Sequence, residues 1–151
     1  MDGVIADFNK YYKSIYHMEP REAEKREEFR PLFHELIMNG GFEKLDLMPD
    51  AHLGLEFLRK SNVPTQILSS TSREQYFNPI SKQKTIWLQK QGITFNPIFV
   101  PGKQYKQQYA KPDTIIIDDT LSIIDDWRKA GGIAIWHKNW QDTLAILRQY
   151  V

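Results

Sequence analysis

The spacing of hydrophobic residues along this chain changes character near residue 50, and beyond that point helical and extended periods alternate. "MPDAHLGLEFLRKSN" spaces its apolar residues as an amphipathic helix does, and it predicts a helix capped near Asp50. "VPTQILSS" is a short apolar run and predicts a strand. "NPISKQKTIWLQKQG" predicts a helix that Gly92 ends, "FNPIFV" a strand, and "TIIIDD" the clearest buried strand of the chain. "LSIIDDWRKAGG" predicts a helix closed by glycines, "IAIWH" a strand, and "DTLAILRQYV" a closing helix. Continuous apolar strands separated by helices imply an α/β fold, with a parallel sheet covered on both faces.

The first fifty residues read differently. Residues 4 to 6 are the apolar stub of something extended. Asp7 or Asn9 is placed to cap a helix running through "KYYKSIYH". Pro20 suits a helix start, and "REAEKREEFRPLFHELIMNGG" comes after it. Phe29, Leu32, Phe33, Leu36 and Ile37 fall at helical spacing there, Pro31 is expected to kink or split the helix, and Gly40 and Gly41 end it. The expected organisation is one domain over residues 1–151. Its core is 1–7 and 50–151, and residues 8–49 form a helical insertion, too short for a core of its own, that caps the strand ends.

Composition narrows the classes. A chain of 151 residues with 41% hydrophobic and 26% charged residues is ordinary for a soluble globular protein. A formal net charge of +1 provides no global field toward nucleic acid or membrane. The absence of cysteine excludes disulfides and thiolate metal sites and fits a cytoplasmic protein. No apolar run approaches the ~20 residues of a membrane span, and no secretory signal is legible at the N-terminus.

In open parallel sheets ligands gather at the carboxyl ends of the strands. The polar residues expected there are Asp2, Ser69 and Ser70, and Asp118 and Asp119. Adjacent carboxylates repel unless a cation sits between them, and a hard divalent ion such as Mg2+ is the usual one. The plainer alternative is a solvated turn in which Asp119 caps the next helix. "SSTS" after a strand offers hydroxyls and N–H groups to a phosphate, or simply caps the following helix. Lys103, Lys106 and Lys111 precede the "TIIIDD" strand, where one of them could meet that phosphate.

Asp-Gly, then Ser, then Lys, then Asp-Asp is an ordered set. It resembles the haloacid dehalogenase (HAD) superfamily, and within it the 5'(3')-deoxyribonucleotidase-like group with its small phage-encoded members. "MDGVIADF" matches the first motif minus its leading Asp, and "GGFEKLDLMPDAHLGLEFL" the return from cap to core. "ILSSTS" matches the second motif, while "QKTIWL" and "FVPGKQYKQQYA" match the stretch leading to the motif lysine. "TIIIDDTLSIIDDWRKAGGIAIWH" matches the fourth motif and the segment after it. The resemblance implies a Rossmannoid parallel sheet between helices with a small helical cap. It also implies a Mg2+-dependent phosphomonoester hydrolase acting on (deoxy)nucleoside monophosphates. Asp2 is then the general acid and base, its carbonyl helping to hold Mg2+. Ser69 and Ser70 bind phosphoryl oxygens, Lys106 neutralises the phosphoryl charge, and Asp118 and Asp119 hold the metal. Phe8, Tyr12, Phe29, Phe33, Phe42 and Arg73 are candidates for substrate contact, ordinary cap packing being the alternative for the aromatics.

The same resemblance implies a nucleophilic Asp directly before Met1, at the end of a central strand. That strand is truncated here or supplied in another way. An empty central slot is expected to be too costly, because each buried unsatisfied group costs about 1–3 kcal/mol. The ways to fill it are residues upstream of Met1, a backward slide of "MDGVIA", a segment from a second copy in a homodimer, or rearrangement of the sheet. Without the nucleophile the chain is expected to be inactive. Two other readings stay open. "SSTSREQYFNPISKQKTIWL" also resembles the phosphatase half of phage polynucleotide kinases, which implies a nucleic-acid 3'-end phosphatase, although no basic stripe with interleaved aromatics stands out. The third is a non-catalytic HAD-fold protein binding a nucleotide or a partner. A phage-encoded protein would work in the host cytoplasm.

Overall fold

The computed structural model describes residues 1–151. Met1 opens a tight turn, where the sequence suggests an extended stub. Its carbonyl accepts the N–H groups of Val4, Ile5 and Ala6 at 3.2, 2.9 and 3.2 Å, and Gly3 takes a positive φ of 75°. Helix α1 (Phe8–Tyr16) comes next, with the Asp7 carboxylate accepting the Lys10 N–H at 3.2 Å as its cap. Helix α2 (Pro20–Lys25) starts on its proline, and α3 (Phe29–Met38) begins after a break. The split is not made by Pro31. It falls at Arg26–Glu28, where Glu27 has a φ of +58°, and Pro31 lies in the first turn of α3. The first four N–H groups of a helix have no internal partner, so a proline there sacrifices no bond.

Asp50 holds the N-cap position of helix α4 (Ala51–Lys60), as expected, but its side chain makes no capping bond there. Its carboxylate accepts the backbone N–H of Trp140 at 2.6 Å instead, and so holds the start of the last helix. Strand β1 (Gln66–Ser70), helix α5 (Phe77–Lys90) and strand β2 (Asn96–Val100) form one strand–helix–strand unit. A 3-10 stretch, Lys103–Tyr109, leads to the second unit: β3 (Ile115–Asp118), α6 (Leu121–Lys129) and β4 (Ile133–Trp136). Helix α7 (Trp140–Leu147) closes the chain, shorter than the predicted run to Val151.

Both strand pairs are parallel, as the alternation of elements requires. Ser69 stands opposite Phe99 in the first and Asp118 opposite Trp136 in the second. The fold is thus α/β, but the strands do not form the single sheet that the alternation predicts. β1 bonds only to β2, and β3 only to β4. The "MDGVIA" segment does not slide back between them, because its turn closes on the Met1 carbonyl and Lys84 anchors the carboxylate of Asp2. Of the expected ways to fill the slot, the backward slide is therefore not taken, and within residues 1–151 a groove separates the two pairs.

Residues 8–49 share their core with the remainder. Tyr12, Phe33, Leu36 and Ile37 belong to one buried cluster with Ile80, Trp87, Ile135 and Leu144. Polar bonds reinforce the junction: the buried Gln83 side chain donates to the Ile37 carbonyl at 2.8 Å and accepts from the Phe42 N–H at 3.1 Å, and the Trp87 indole donates to the Leu45 carbonyl at 2.7 Å. No helix is long and apolar enough to cross a membrane.

Candidate functional site

The carboxyl ends of β1 and β3 open into a polar cleft of about 510 Å³. Asp2, Ser69, Ser70, Lys106, Asp118 and Asp119 all line it. Six residues from four separate segments thus meet where the strand order placed them.

Asp2 is fixed by Lys84, a residue that no motif in the sequence singles out. Lys84, on the buried side of α5, is 1% exposed. Its ammonium donates to Asp2 Oδ2, Ser69 Oγ and the Ser70 carbonyl, each at 2.8 Å. It also lies 4.8 Å from the centre of the Phe42 ring. Burial pushes the Asp2 carboxyl up, but the Lys84 charge and its hydrogen bond outweigh that and hold it below its ordinary value. Three oxygen acceptors, one of them charged, surround the ammonium; burial, the largest influence, still lowers its pKa below the ordinary lysine value, with the Asp2 charge working against that. The other oxygen, Asp2 Oδ1, is buried without a hydrogen-bond partner.

Asp118 is handled in the same way. Lys106 Nζ sits 2.8 Å from Asp118 Oδ2, and both side chains are nearly inaccessible, at 6% and 7%. Oδ1 accepts the Thr120 N–H at 3.0 Å. Burial works against the charged form of Asp118, yet Lys106 and the nearby Met1 amine keep its carboxyl below the ordinary range. The Met1 amine, desolvated at the cleft and repelled by Lys106, is lowered to about 6.

Asp119 has no lysine. Partial desolvation, then the Asp118 charge, raise its carboxyl above the ordinary value. It rests on Gly3: a Cβ built at that glycine would collide with Asp119 Oδ2. Only glycine tolerates both that approach and the positive φ. The turn at Met1–Ala6 and the end of β3 are therefore fitted to one another through a missing side chain.

The other predicted residues divide. Phe8 lines the cleft. Tyr12, Phe33 and Phe42 do not line it; they are buried at 0%, 7% and 4% in an aromatic cluster, with Phe8 stacked on Phe42 at 5.4 Å. Arg73 is exposed outside the cleft. Lys103 reaches the rim, whereas Lys111 does not. His137 joins the lining unpredicted. Its Nδ1 pairs with Thr143 Oγ1 at 2.7 Å, its buried Nε2 has no partner, and burial lowers its pKa.

No three carboxylate or imidazole side chains converge as a ready-made metal cage. Mg2+ needs less: it keeps several waters and commonly takes one or two carboxylates together with substrate oxygens. Asp119 fits such an ion, since burial and then a like neighbour raise its pKa and no lysine offsets its charge. Asp118 beside it and the unpartnered Asp2 Oδ1 add hard oxygen atoms to the same cleft. No family model, no curated protein and no solved structure matches this chain.

Proposed function

We propose that this cleft is the phosphate site of a Mg2+-dependent phosphomonoester hydrolase of the HAD type, acting on (deoxy)nucleoside monophosphates. The observation that carries the reading is the convergence of Asp2, Ser69, Lys106, Asp118 and Asp119 in one cleft at the strand ends. Each residue suits its part. Ser69 and Ser70 line the cleft; their hydroxyl oxygens accept from Lys84 and from the Ser72 N–H, which leaves each O–H free to donate to a phosphoryl oxygen. Lys106 brings a buried positive charge, held by Asp118, to where phosphoryl charge must be neutralised. Asp2, whose carboxylate Lys84 orients and holds below its ordinary pKa, takes a proton from the attacking water as general base; to protonate the leaving alkoxide in the earlier step it must first take up a proton from solvent. Asp118, Asp119 and the Asp2 carbonyl would hold Mg2+. When bound, the ion supplies Lewis-acid stabilisation of phosphoryl oxygens.

The attacking carboxylate in this reading stands directly before Met1. Residues 1–151 alone are then expected to bind Mg2+ weakly and to form no aspartyl-phosphate. The test is turnover of an aryl phosphate with Mg2+ by the 151-residue polypeptide, with and without an apolar stretch ending in Asp joined to Met1. Turnover that appears only with the Asp supports the reading; equal and substantial turnover in both sinks it. Competition between a deoxynucleoside monophosphate and a 3'-phosphorylated oligonucleotide then separates the nucleotidase from an end phosphatase.

A further inference from the structure

Four carboxylates line the polar cleft: Asp2, Asp7, Asp118 and Asp119. Lys84 answers the charge of Asp2, Lys106 that of Asp118, and Mg2+ would answer that of Asp119. Asp7 is engaged at the start of α1, where it accepts the Lys10 N–H. Two further lysines, Lys103 and Lys138, line the same cleft, and neither forms an ion pair with a carboxylate.

Lys138 is exposed but not free to wander. Its ammonium lies 3.4 Å from the centre of the Trp136 ring. An aromatic face attracts a cation without neutralising its charge. Trp136 is fixed in its turn: its indole N–H donates to the Asp119 carbonyl at 3.1 Å, and the pairing of β4 with β3 sets it opposite Asp118. A full positive charge is thus held beside the Asp118–Asp119 turn. Part of the entropy cost of ordering a lysine on a ligand is met before the ligand arrives.

His137, between these two residues in sequence, is an independent sign. Its side chain is buried, and Nδ1 is occupied by Thr143 Oγ1 at 2.7 Å. That hydroxyl has no other acceptor, so Thr143 donates to Nδ1 and the ring proton sits on Nε2. Nε2–H is buried without a partner in a residue that lines the cleft. A buried donor without an acceptor is costly, and an oxyanion supplies the acceptor.

We propose that Lys138, Lys103 and the His137 Nε2–H form a second anion subsite in this cleft, and that the substrate is a small bisphosphate: a nucleoside with one phosphate to be cleaved and a second on its leaving group. The first phosphate, at Ser69 and Lys106, rests on the phosphatase reading. A cleft of about 510 Å³ has the size that encloses one small ligand, which favours a single nucleotide over a strand.

The experiment measures binding to the 151-residue polypeptide by calorimetry at high Mg2+. The ligands are a deoxynucleoside 3',5'-bisphosphate, the two matching monophosphates and a 3'-phosphorylated dinucleotide. The bisphosphate is expected to bind roughly tenfold tighter than either monophosphate, through added charge-assisted hydrogen bonds. Lys138→Gln should remove most of that preference and Lys103→Gln part of it, with monophosphate affinity unchanged. Lys111→Gln, outside the cleft, should leave the preference intact. His137→Asn keeps a partner for Thr143 but loses the Nε2–H, whereas His137→Gln places an amide N–H near the position of Nε2. The preference should therefore fall with Asn and return with Gln. Equal affinity for mono- and bisphosphate overturns the proposal. So does an equal loss with Lys111→Gln, which is the mark of general charge. Tighter binding of the dinucleotide than of the bisphosphate also overturns it, by giving the lysines to a nucleic-acid strand. A preference that persists while Ser69→Ala leaves monophosphate binding untouched keeps the subsite and removes the phosphatase reading instead.

Discussion

Replacing Lys84 with Met removes one charge and keeps most of the side-chain volume. The Lys84 side chain is 2% exposed, and its ammonium donates hydrogen bonds to Asp2, Ser69 and Ser70. Breaking a buried ion pair by removing one partner costs about 3–5 kcal/mol. The Asp2 side chain keeps 31% of its accessibility, so water can partly replace the lost ammonium and the lower end, about 3 kcal/mol, applies. At roughly 2–4 °C per kcal/mol for a domain of this size, Tm falls by about 6–12 °C.

Urea denaturation at several pH values separates charge from volume. Asp2 is held below its ordinary pKa in the folded chain. It therefore contributes stability above the ordinary carboxylate pKa of about 3.9, and that contribution is lost as pH falls through its folded value. The gap between the native chain and Lys84→Met should be full at pH 7 and narrow as pH falls below about 4. Lys84→Met combined with Asp2→Asn should recover part of the loss, because neither group is then left charged and unpaired. A loss under about 0.5 kcal/mol, the size of an ordinary surface change, refutes the reasoning; so does a gap that stays constant down to a pH of about 3.

Asp119→Asn removes a carboxylate that its surroundings disfavour, so Tm should rise without metal at pH 7; on the proposed reading the small Tm rise expected at high Mg2+ should also vanish. Gln83→Ala leaves the Ile37 carbonyl and the Phe42 N–H without their partner, and urea denaturation should show a loss of about 3 kcal/mol at roughly 1–3 kcal/mol per buried unsatisfied group. Gly3→Ala forces a methyl onto Asp119 Oδ2 at a positive φ; calorimetry should show a loss of at least about 1–3 kcal/mol from backbone strain alone, together with a weaker response to Mg2+.

Element types from residue 50 onward are legible in the sequence, because continuous apolar runs and helical stripes differ in period and each run is bounded by glycine or polar residues. Strand neighbours are not. An apolar run shows that a strand is buried but not which edges are paired, so "TQIL" and "TIII" carry no sign that they stand apart across a groove. Capping rules are local and assign Asp50 to its own helix, while its true partner, the Trp140 N–H, lies 90 residues away. The aromatic residues of the insertion are ambiguous for a similar reason: Phe8, Tyr12, Phe33 and Phe42 all suit a pocket or a core, and only tertiary placement leaves Phe8 at the cleft.

Lys84 is different, since the sequence does carry a signal for it. In "FNPISKQKTIWLQK" the apolar stripe of the helix is Ile80, Trp87 and Leu88, and a period of 3.6 residues puts positions 83 and 84 on that stripe between them. Lys82 and Lys90 fall off it and are exposed. A lysine on the apolar side of a helix that follows a strand bearing Ser69 and Ser70 needs an anion, because an unpaired buried ammonium is too costly to keep. The nearest conspicuous anions in that half of a parallel fold are the carboxylates at the strand ends. Counting charges by helical face therefore finds a second buried lysine for the cleft. Lys84 and Lys106 then neutralise Asp2 and Asp118 one to one, and Asp119 is left as the carboxylate without a lysine partner. That remainder, rather than the Asp-Asp pair as such, is what supports a metal ion in the function proposed for this cleft.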